Sequence, residues 1–185
     1  MKTLQIWFGP EDSSKVKPYM ESVIKFTPDA THYFIGSQQN SIPGQTVLVP
    51  NAELDYGYAK LNNNPWWTAY NTQNMFKADM IRLAWALDNQ DLLYVDADVE
   101  FIASPTINYP PGTPIMGIYQ GLQEFFLFYV NNNSNWFQDL IDYTTAKSVV
   151  PFAFMKTFVN IRRGTCLSRP LMWNENTFYK RHNIV

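Results

Sequence analysis

The stretch from Asp91 to Phe101, DLLYVDADVEF, constrains this chain more than any other, because an apolar run suited to a buried strand ends in two carboxylates, Asp96 and Asp98. Side chains two residues apart on a strand point the same way, so both carboxylates are expected to project together from the strand's C-terminal edge. In open α/β sheets that edge is where ligands bind. A hard divalent cation such as Mg²⁺ or Mn²⁺ suits one or two carboxylates supplemented by diphosphate oxygens. The motif is short, and the same residues also read as a solvated turn after a core strand.

The residues just upstream, NMFKADMIRLAWALDN, put Met75, Ala78, Leu83, Ala86 and Leu87 on one helical face, which Ile81, Ala84 and Trp85 widen. The expected helix starts after a cap at Asn74 and ends near Asp88 to Asn89. Asp79 and Arg82 are three apart and share a face. Two readings fit them. One is an exposed ion pair worth about a few tenths of a kcal/mol. The other turns both charges toward the strand-end carboxylates, where they would hold the hydroxyls and phosphates of a bound molecule.

Taken together, KADMIRLAWALDNQDLLYVDADVEF resembles the signature of the glycosyltransferases with a DXD-containing sugar-binding region. That group includes α-mannosyltransferase-like enzymes, capsular-polysaccharide transferases and the catalytic domains of large glucosylating toxins. Its Ser/Ala-Asp-aliphatic-aliphatic-Arg helix corresponds to Ala78, Asp79, Met80, Ile81 and Arg82. Its aromatic-aliphatic-Asp-x-Asp strand corresponds to Tyr94, Val95, Asp96, Ala97 and Asp98. The opening LQIWFGP is similar to the family's first strand, which gives Trp7 the role of stacking on a nucleotide base. Packing alone fits Trp7 equally well on the residues themselves. A looser match is FFLFYVNNNSNWFQDLIDY, similar to the strand, Asn and helix that follow the DXD strand. These patches cover residues 1 to about 145.

The resemblance implies a GT-A-like, Rossmann-type mixed α/β sheet flanked by helices. It also implies a metal-dependent enzyme that moves a sugar from a nucleotide-sugar donor, with retention, to a glycan, lipid or protein acceptor. In that scheme Asp98 holds Mn²⁺ or Mg²⁺, and Asp96 contacts the metal directly or through water and the ribose. Arg82 compensates phosphate charge and Asp79 accepts hydrogen bonds from donor hydroxyls. The chain departs from the pattern in two places. Asn89-Gln90 stands where the family carries Gly-Gly, and Asn is the best substitute for glycine where φ is positive. After FYKRH there is no Ser-Trp segment of the kind that follows a His and folds over the diphosphate in the family, which leaves the role of His182 open.

Composition fits one compact enzyme domain over residues 1–185. Hydrophobic residues make up 46%, aromatic residues 16% and charged residues only 16%, so many rings need a packed interior or a sugar-binding surface. A net charge of −2 provides no electrostatic footprint for nucleic acid or an anionic membrane. Cys166 is the lone cysteine, which excludes an intramolecular disulfide framework. No stretch reaches the length of a membrane span or of a signal segment, so a cytoplasmic location is expected.

Along the chain, strands are expected at Leu4 to Phe8, THYFIG, TVLVP, PIMGIY and FFLFYV, with helices near Ser14 to Lys25 and in SNWFQDLIDYTTAK behind a cap at Ser134. From Val149 onward the pattern is mixed. Trp66 and Trp67 suit an acceptor-sugar platform, although anchoring of a loop accounts for them more simply. Lys77 reads as a solvated helix charge and Asn131 to Asn133 as a turn. Two rival classes remain. A haloacid-dehalogenase-type phosphatase also ends a strand in Asp-x-Asp, but carries Thr or Val where this chain has Glu100. A non-catalytic nucleotide-sugar or carbohydrate-binding module would keep the donor site without turnover.

Overall fold

The computed structural model describes residues 1–9, 13–61, 74–107, 114–119, 122–130, 135–146, 171–174 and 176–182. Its centre is a seven-stranded mixed sheet in the order β3-β2-β1-β4-β7-β6-β8. The strands are β1 (Lys2–Ile6), β2 (Thr31–Ile35), β3 (Gln45–Leu48), β4 (Leu92–Val95), β6 (Ile115–Tyr119), β7 (Leu122–Val130) and β8 (Leu171–Trp173). The first four run parallel, β7 returns antiparallel to both β4 and β6, and β8 is parallel to β6. A separate antiparallel pair joins β5 (Val99–Phe101) to β9 (Tyr179–Arg181).

Alternation along β4 explains why both faces of the sheet are covered. Leu92 and Tyr94 enter a cluster with Leu4, Ile6, Met116 and Phe128, closed by helix α3 (Asn74–Asp88) and helix α4 (Trp136–Ala146). Leu93 and Val95 point to the opposite face and pack with Val23 of α1 (Lys17–Phe26) and with Val99, Phe101 and Tyr179 of the small sheet. A strand buried on both faces reads as a continuous apolar run, as LLYV does. On α3, Met80, Ile81, Leu83 and Trp85 are all buried. Each contributes about 1.5–3 kcal/mol. That sum offsets the several kcal/mol per ion that it costs to bury Asp79 and Arg82 on the same helix.

Several sequence expectations need adjustment. The strand expected to end in both carboxylates stops at Val95, and a turn in which the Val99 amide donates to the Asp96 carbonyl at 3.1 Å leads into β5 of the second sheet. Asp96 and Asp98 therefore flank a turn and do not share a pleat. The left-handed residue after α3 is Asp91, with φ 64°, and not Asn89. Its carboxylate accepts from the Tyr129 hydroxyl at 2.6 Å, a bond that glycine could not make. Asn74 is the first residue of α3 and not its cap, β1 ends at Ile6 before Trp7, and α1 begins at Lys17 with Pro18 in its first turn.

The helix α2 (Pro50–Leu61) was not anticipated, although Pro50 at its start, Glu53 in its first turn and Lys60 in its last are ordinary helix signals. It docks on α3 through polar links. Trp85 Nε1 donates to Glu53 at 2.7 Å, and the Tyr56 hydroxyl donates to Asp88 at 2.6 Å. Trp66, Trp67, Asn131 to Asn133, Ser134 and most of the mixed C-terminal stretch lie outside the described residues.

Candidate active site at the end of the fourth strand

Because β1 and β4 are parallel neighbours, Trp7 and Asp96 follow directly at the same, C-terminal edge of the sheet. Asp96 still keeps the sheet's hydrogen bonding through its amide, which donates to the Phe126 carbonyl at 2.7 Å. The chain then turns. Ala97 buries its methyl among Val16, Met20, Phe34 and Ile42, with Trp7 half-buried against the same cluster. The Trp7 ring lies over Gly9, where a Cβ would come within 2.3 Å of it. A side chain at this position would collide with the ring, so glycine leaves the room it needs.

Asp79 and Arg82 are buried, with side chains 8% and 9% exposed, so the exposed-pair reading of these residues fails. The guanidinium of Arg82 bonds Asp79 through Nη2 and donates to Asp96 Oδ1 through Nη1 at 3.2 Å. Tyr94, two residues before Asp96 and on the same face of β4, donates its hydroxyl to the same oxygen at 2.6 Å. Four residues chosen from the sequence, Asp79, Arg82, Asp96 and Asp98, are thus gathered at one strand end.

One member of the cluster escaped sequence reasoning. Arg181 lies directly opposite Val99 in the β5–β9 pair, and its guanidinium spans the two carboxylates. Nη2 is 3.7 Å from Asp96 Oδ2 and Nε is 3.5 Å from Asp98 Oδ2, while the guanidinium carbon sits 4.7 Å from the centre of the Phe126 ring. The only signal was a basic residue beside His182 near the end of the chain. His182 itself donates its amide to the Asp98 carbonyl at 2.9 Å. Its ring stacks on Tyr19 with centroids 4.3 Å apart, and Nε2 meets Glu100 Oε2 at 2.9 Å. Lys77 is half-buried near the start of α3.

The electrostatics follow from burial and neighbours. Burial pushes the Asp79 carboxyl up to about 6 against the lowering pull of Arg82. Burial and then the nearby Asp96 charge raise Asp98 to about 6, with Arg181 acting in the opposite direction. Burial opposes the charge on Arg82, but Asp79, Tyr94 and Asp96 together outweigh it and hold the guanidinium protonated. Burial likewise raises Tyr94, which stays a donor. Three carboxylates face two guanidiniums, which leaves the site formally negative.

The donor set fits a hard divalent cation. Asp98 Oδ1 is a buried oxygen without a hydrogen-bond partner among the described residues, and so is Asp79 Oδ2. Asp96 Oδ1, in contrast, is already occupied by Tyr94 and Arg82. Of the two, Asp98 would therefore be the better ligand for such an ion and Asp96 the supporting one. Two carboxylates leave the rest of a coordination shell to water and substrate oxygens, as Mg²⁺ and Mn²⁺ prefer. Among the described residues no group of three or more His, Cys, Asp or Glu side chains forms a self-sufficient metal cage.

No protein-family model matches the sequence, and no curated protein matches it. Solved structures do match the fold. A transferase studied as a double cysteine-to-serine mutant aligns with 96% of this chain and 92% of its own, with TM-score 0.56 and 11% identity. The PaToxG glycosyltransferase aligns with 87% of this chain and 68% of its own, with TM-score 0.55 and 13% identity. The chain has the mixed α/β architecture of these proteins, a GT-A-like sheet flanked by helices. No helix among the described residues is long and apolar enough to cross a membrane.

Proposed function

We propose that this protein is a metal-dependent glycosyltransferase that moves a sugar from a nucleotide-sugar donor to an acceptor with retention of configuration. The observation that carries this reading is the unpartnered Asp98 Oδ1, set beside an Asp96 already neutralised by Arg82 at the C-terminal edge of β4. A GT-A-like fold shared with solved glycosyltransferases supports it. Asp98, assisted by Asp96, would hold Mn²⁺ or Mg²⁺. When bound, such an ion neutralises the donor diphosphate and makes it a better leaving group.

The protein's own groups have separate tasks. Arg82 holds Asp96 in place and supplies fixed positive charge near the phosphates. Asp79, locked by Arg82 through one oxygen, presents its second oxygen to donor hydroxyls. Trp7 offers an apolar ring face to the base at the mouth of the same edge. A glycosidase mechanism fits less well, because such enzymes place two carboxyl groups on opposite sides of the scissile bond, whereas Asp96 and Asp98 are drawn together on one guanidinium.

The test is thermal unfolding with a panel of nucleotide sugars, each with and without Mn²⁺, in wild type and Asp98→Asn. A ligand at a hundred times its dissociation constant adds about 2.7 kcal/mol of stability. For a chain of this size each kcal/mol moves the midpoint by roughly 2–4 °C. One donor should stabilise the wild type only with metal and should fail in Asp98→Asn. A panel that leaves folded wild-type protein unmoved defeats the reading. Release of nucleoside diphosphate from the stabilising donor separates transfer from binding alone.

A further inference from the structure

Ala97 separates the two carboxylates and carries no group that binds a ligand, yet its place in the fold bears on both. The bond from the Val99 amide to the Asp96 carbonyl closes a tight turn with Ala97 and Asp98 at its centre. The backbone around that turn is held from several sides. The Phe126 carbonyl of β7 accepts from the Asp96 amide at 2.7 Å, and the His182 amide, just after β9, donates to the Asp98 carbonyl at 2.9 Å. Ser22 of α1 accepts from the Phe101 amide of β5 at 2.8 Å. With the backbone held in this way, the buried side chain of the turn sets how the turn is rolled. That side chain is the Ala97 methyl, in a residue only 3% exposed that clusters with Val16, Met20, Phe34 and Ile42.

Trp7 packs, half-buried, against the same cluster, and its amide is tied to β2 through the Ile35 carbonyl at 2.9 Å. The candidate base-stacking ring and the candidate metal-binding turn therefore rest on the same few apolar side chains. A close-packed interior has few voids and transmits strain. Resting on the reading of this edge as a metal-dependent donor site, we propose that Ala97 is a positioning residue that couples the metal half of the site to the base half. A cation that draws in the carboxylates of Asp96 and Asp98 re-seats the turn. The Ala97 methyl passes that shift to the cluster, and the cluster passes it to the Trp7 ring. Metal thus prepares the stacking surface before a nucleotide arrives. By linkage, a base stacked on Trp7 raises metal affinity by the factor by which metal raises base affinity. Glycine at this position would leave the turn without its key, and a longer side chain would displace neighbours that are already buried.

The experiment follows 5-fluorotryptophan-labelled protein by fluorine magnetic resonance as Mg²⁺ is added without nucleotide. Metal affinity is measured in parallel from Mn²⁺ binding by electron paramagnetic resonance. The chain has six tryptophans, and Trp7→Phe assigns the resonance of interest. In wild type the Trp7 resonance should move with Mg²⁺, and Asp98→Asn should abolish both the movement and Mn²⁺ binding. Ala97→Gly should bind Mn²⁺ on the order of tenfold more weakly, and its Trp7 resonance should stay in place even at saturating Mg²⁺. Ala97→Ser, nearly the same size, should restore most of the movement, which a loss of stability alone would not predict. Where Ala97→Gly does not fold, Ile42→Ala opens the same cluster without touching the turn and should shrink the movement at unchanged Mn²⁺ affinity. Wild type that binds Mn²⁺ with a stationary Trp7 resonance overturns the coupling and leaves the metal site standing. A wild-type-sized movement in Ala97→Gly or Ile42→Ala overturns the relay through the cluster. If folded wild type binds no Mn²⁺, the reading of the site falls and the coupling falls with it.

Discussion

Arg82 donates to Asp96 Oδ1 at 3.2 Å while the same guanidinium is held by Asp79, so one buried fork ties helix α3 to the turn that follows β4. The helix contributes no backbone to the strand end, yet it sets where the first carboxylate of the motif can point. Stability and site geometry therefore depend on the same side chain.

Replacing Arg82 with Ala should cost about 3–5 kcal/mol, the usual penalty for removing one partner of a buried pair. Asp79 would then be left buried without its countercharge and would take up a proton. The loss should consequently be larger at about pH 8 than at about pH 5, where protonation already relieves it. Arg82→Lys keeps the charge but cannot span both acids, and should fall between. Urea unfolding of the three proteins at both pH values measures this. A loss below about 1 kcal/mol at both would mean that the fork contributes little.

Trp7 gives a second prediction. If its ring stacks on a base, Trp7→Ala should lose about 1–3 kcal/mol of nucleoside diphosphate affinity. Gly9→Ala should act in the same direction by displacing the ring, since its Cβ would lie 2.3 Å from Trp7 Cζ2. Gly36→Ala is the contrast. There a Cβ would meet the Trp7 carbonyl oxygen at 2.8 Å and the Phe34 ring at 2.7 Å, so it should lower stability by about 1–3 kcal/mol. Isothermal titration and urea unfolding separate the two effects. Wild-type affinity in Trp7→Ala would reduce the ring to a packing role.

Tyr94 tests the support of Asp96. Tyr94→Phe keeps the ring stacked on Phe128, with centroids 5.1 Å apart, and removes only the hydroxyl that donates to Asp96 at 2.6 Å. A hydrogen bond to a charged group contributes about 1.5–3 kcal/mol, so the variant should lose stability within that range at neutral pH. Equal unfolding midpoints would show that the guanidiniums of Arg82 and Arg181 hold the carboxylate without the hydroxyl.

Much of this arrangement was legible in the sequence, because it is built from local pattern. LLYV reads as a buried strand, and the helical spacing of Ala78, Leu83 and Ala86 reads as a packed face. The short distance from Arg82 to Asp96 along the chain also brings α3 back beside β4. What could not be read depends on contacts between distant residues. Arg181 is 83 residues from Asp98 and reaches it only through the β5–β9 pairing, which three-residue strands do not announce. The split of the motif between two sheets escaped for a related reason. Apolar residues on either side of Asp96-Ala97-Asp98 fit one long strand as well as two short ones, and only the partner strands distinguish them. At Asp91 the hydrogen bond to Tyr129 decided which residue takes positive φ, and propensity alone favoured Asn89.

Asp98 gives the last prediction, through pH. Burial and then the Asp96 charge raise its carboxyl from 3.8 to about 6, so the folded protein binds this proton more tightly than the unfolded chain. The sign is the reverse of an ordinary paired aspartate. As pH rises from about 4 to about 6 this group costs stability, by up to roughly 3 kcal/mol at 1.36 kcal/mol per unit. Asp79, also raised to about 6, adds in the same direction. Asp98→Asn removes the first contribution, so it should gain stability relative to wild type as pH increases across that window. Mn²⁺ faces the same proton. Its affinity for wild type should fall as pH drops through about 6, because a carboxylate must lose its proton to bind metal. Calorimetric titrations at about pH 5, 6 and 7 follow both trends. Affinity that is flat over this range would mean that Asp98 does not carry the metal, and the loosely bridged pair would then be only a structural turn.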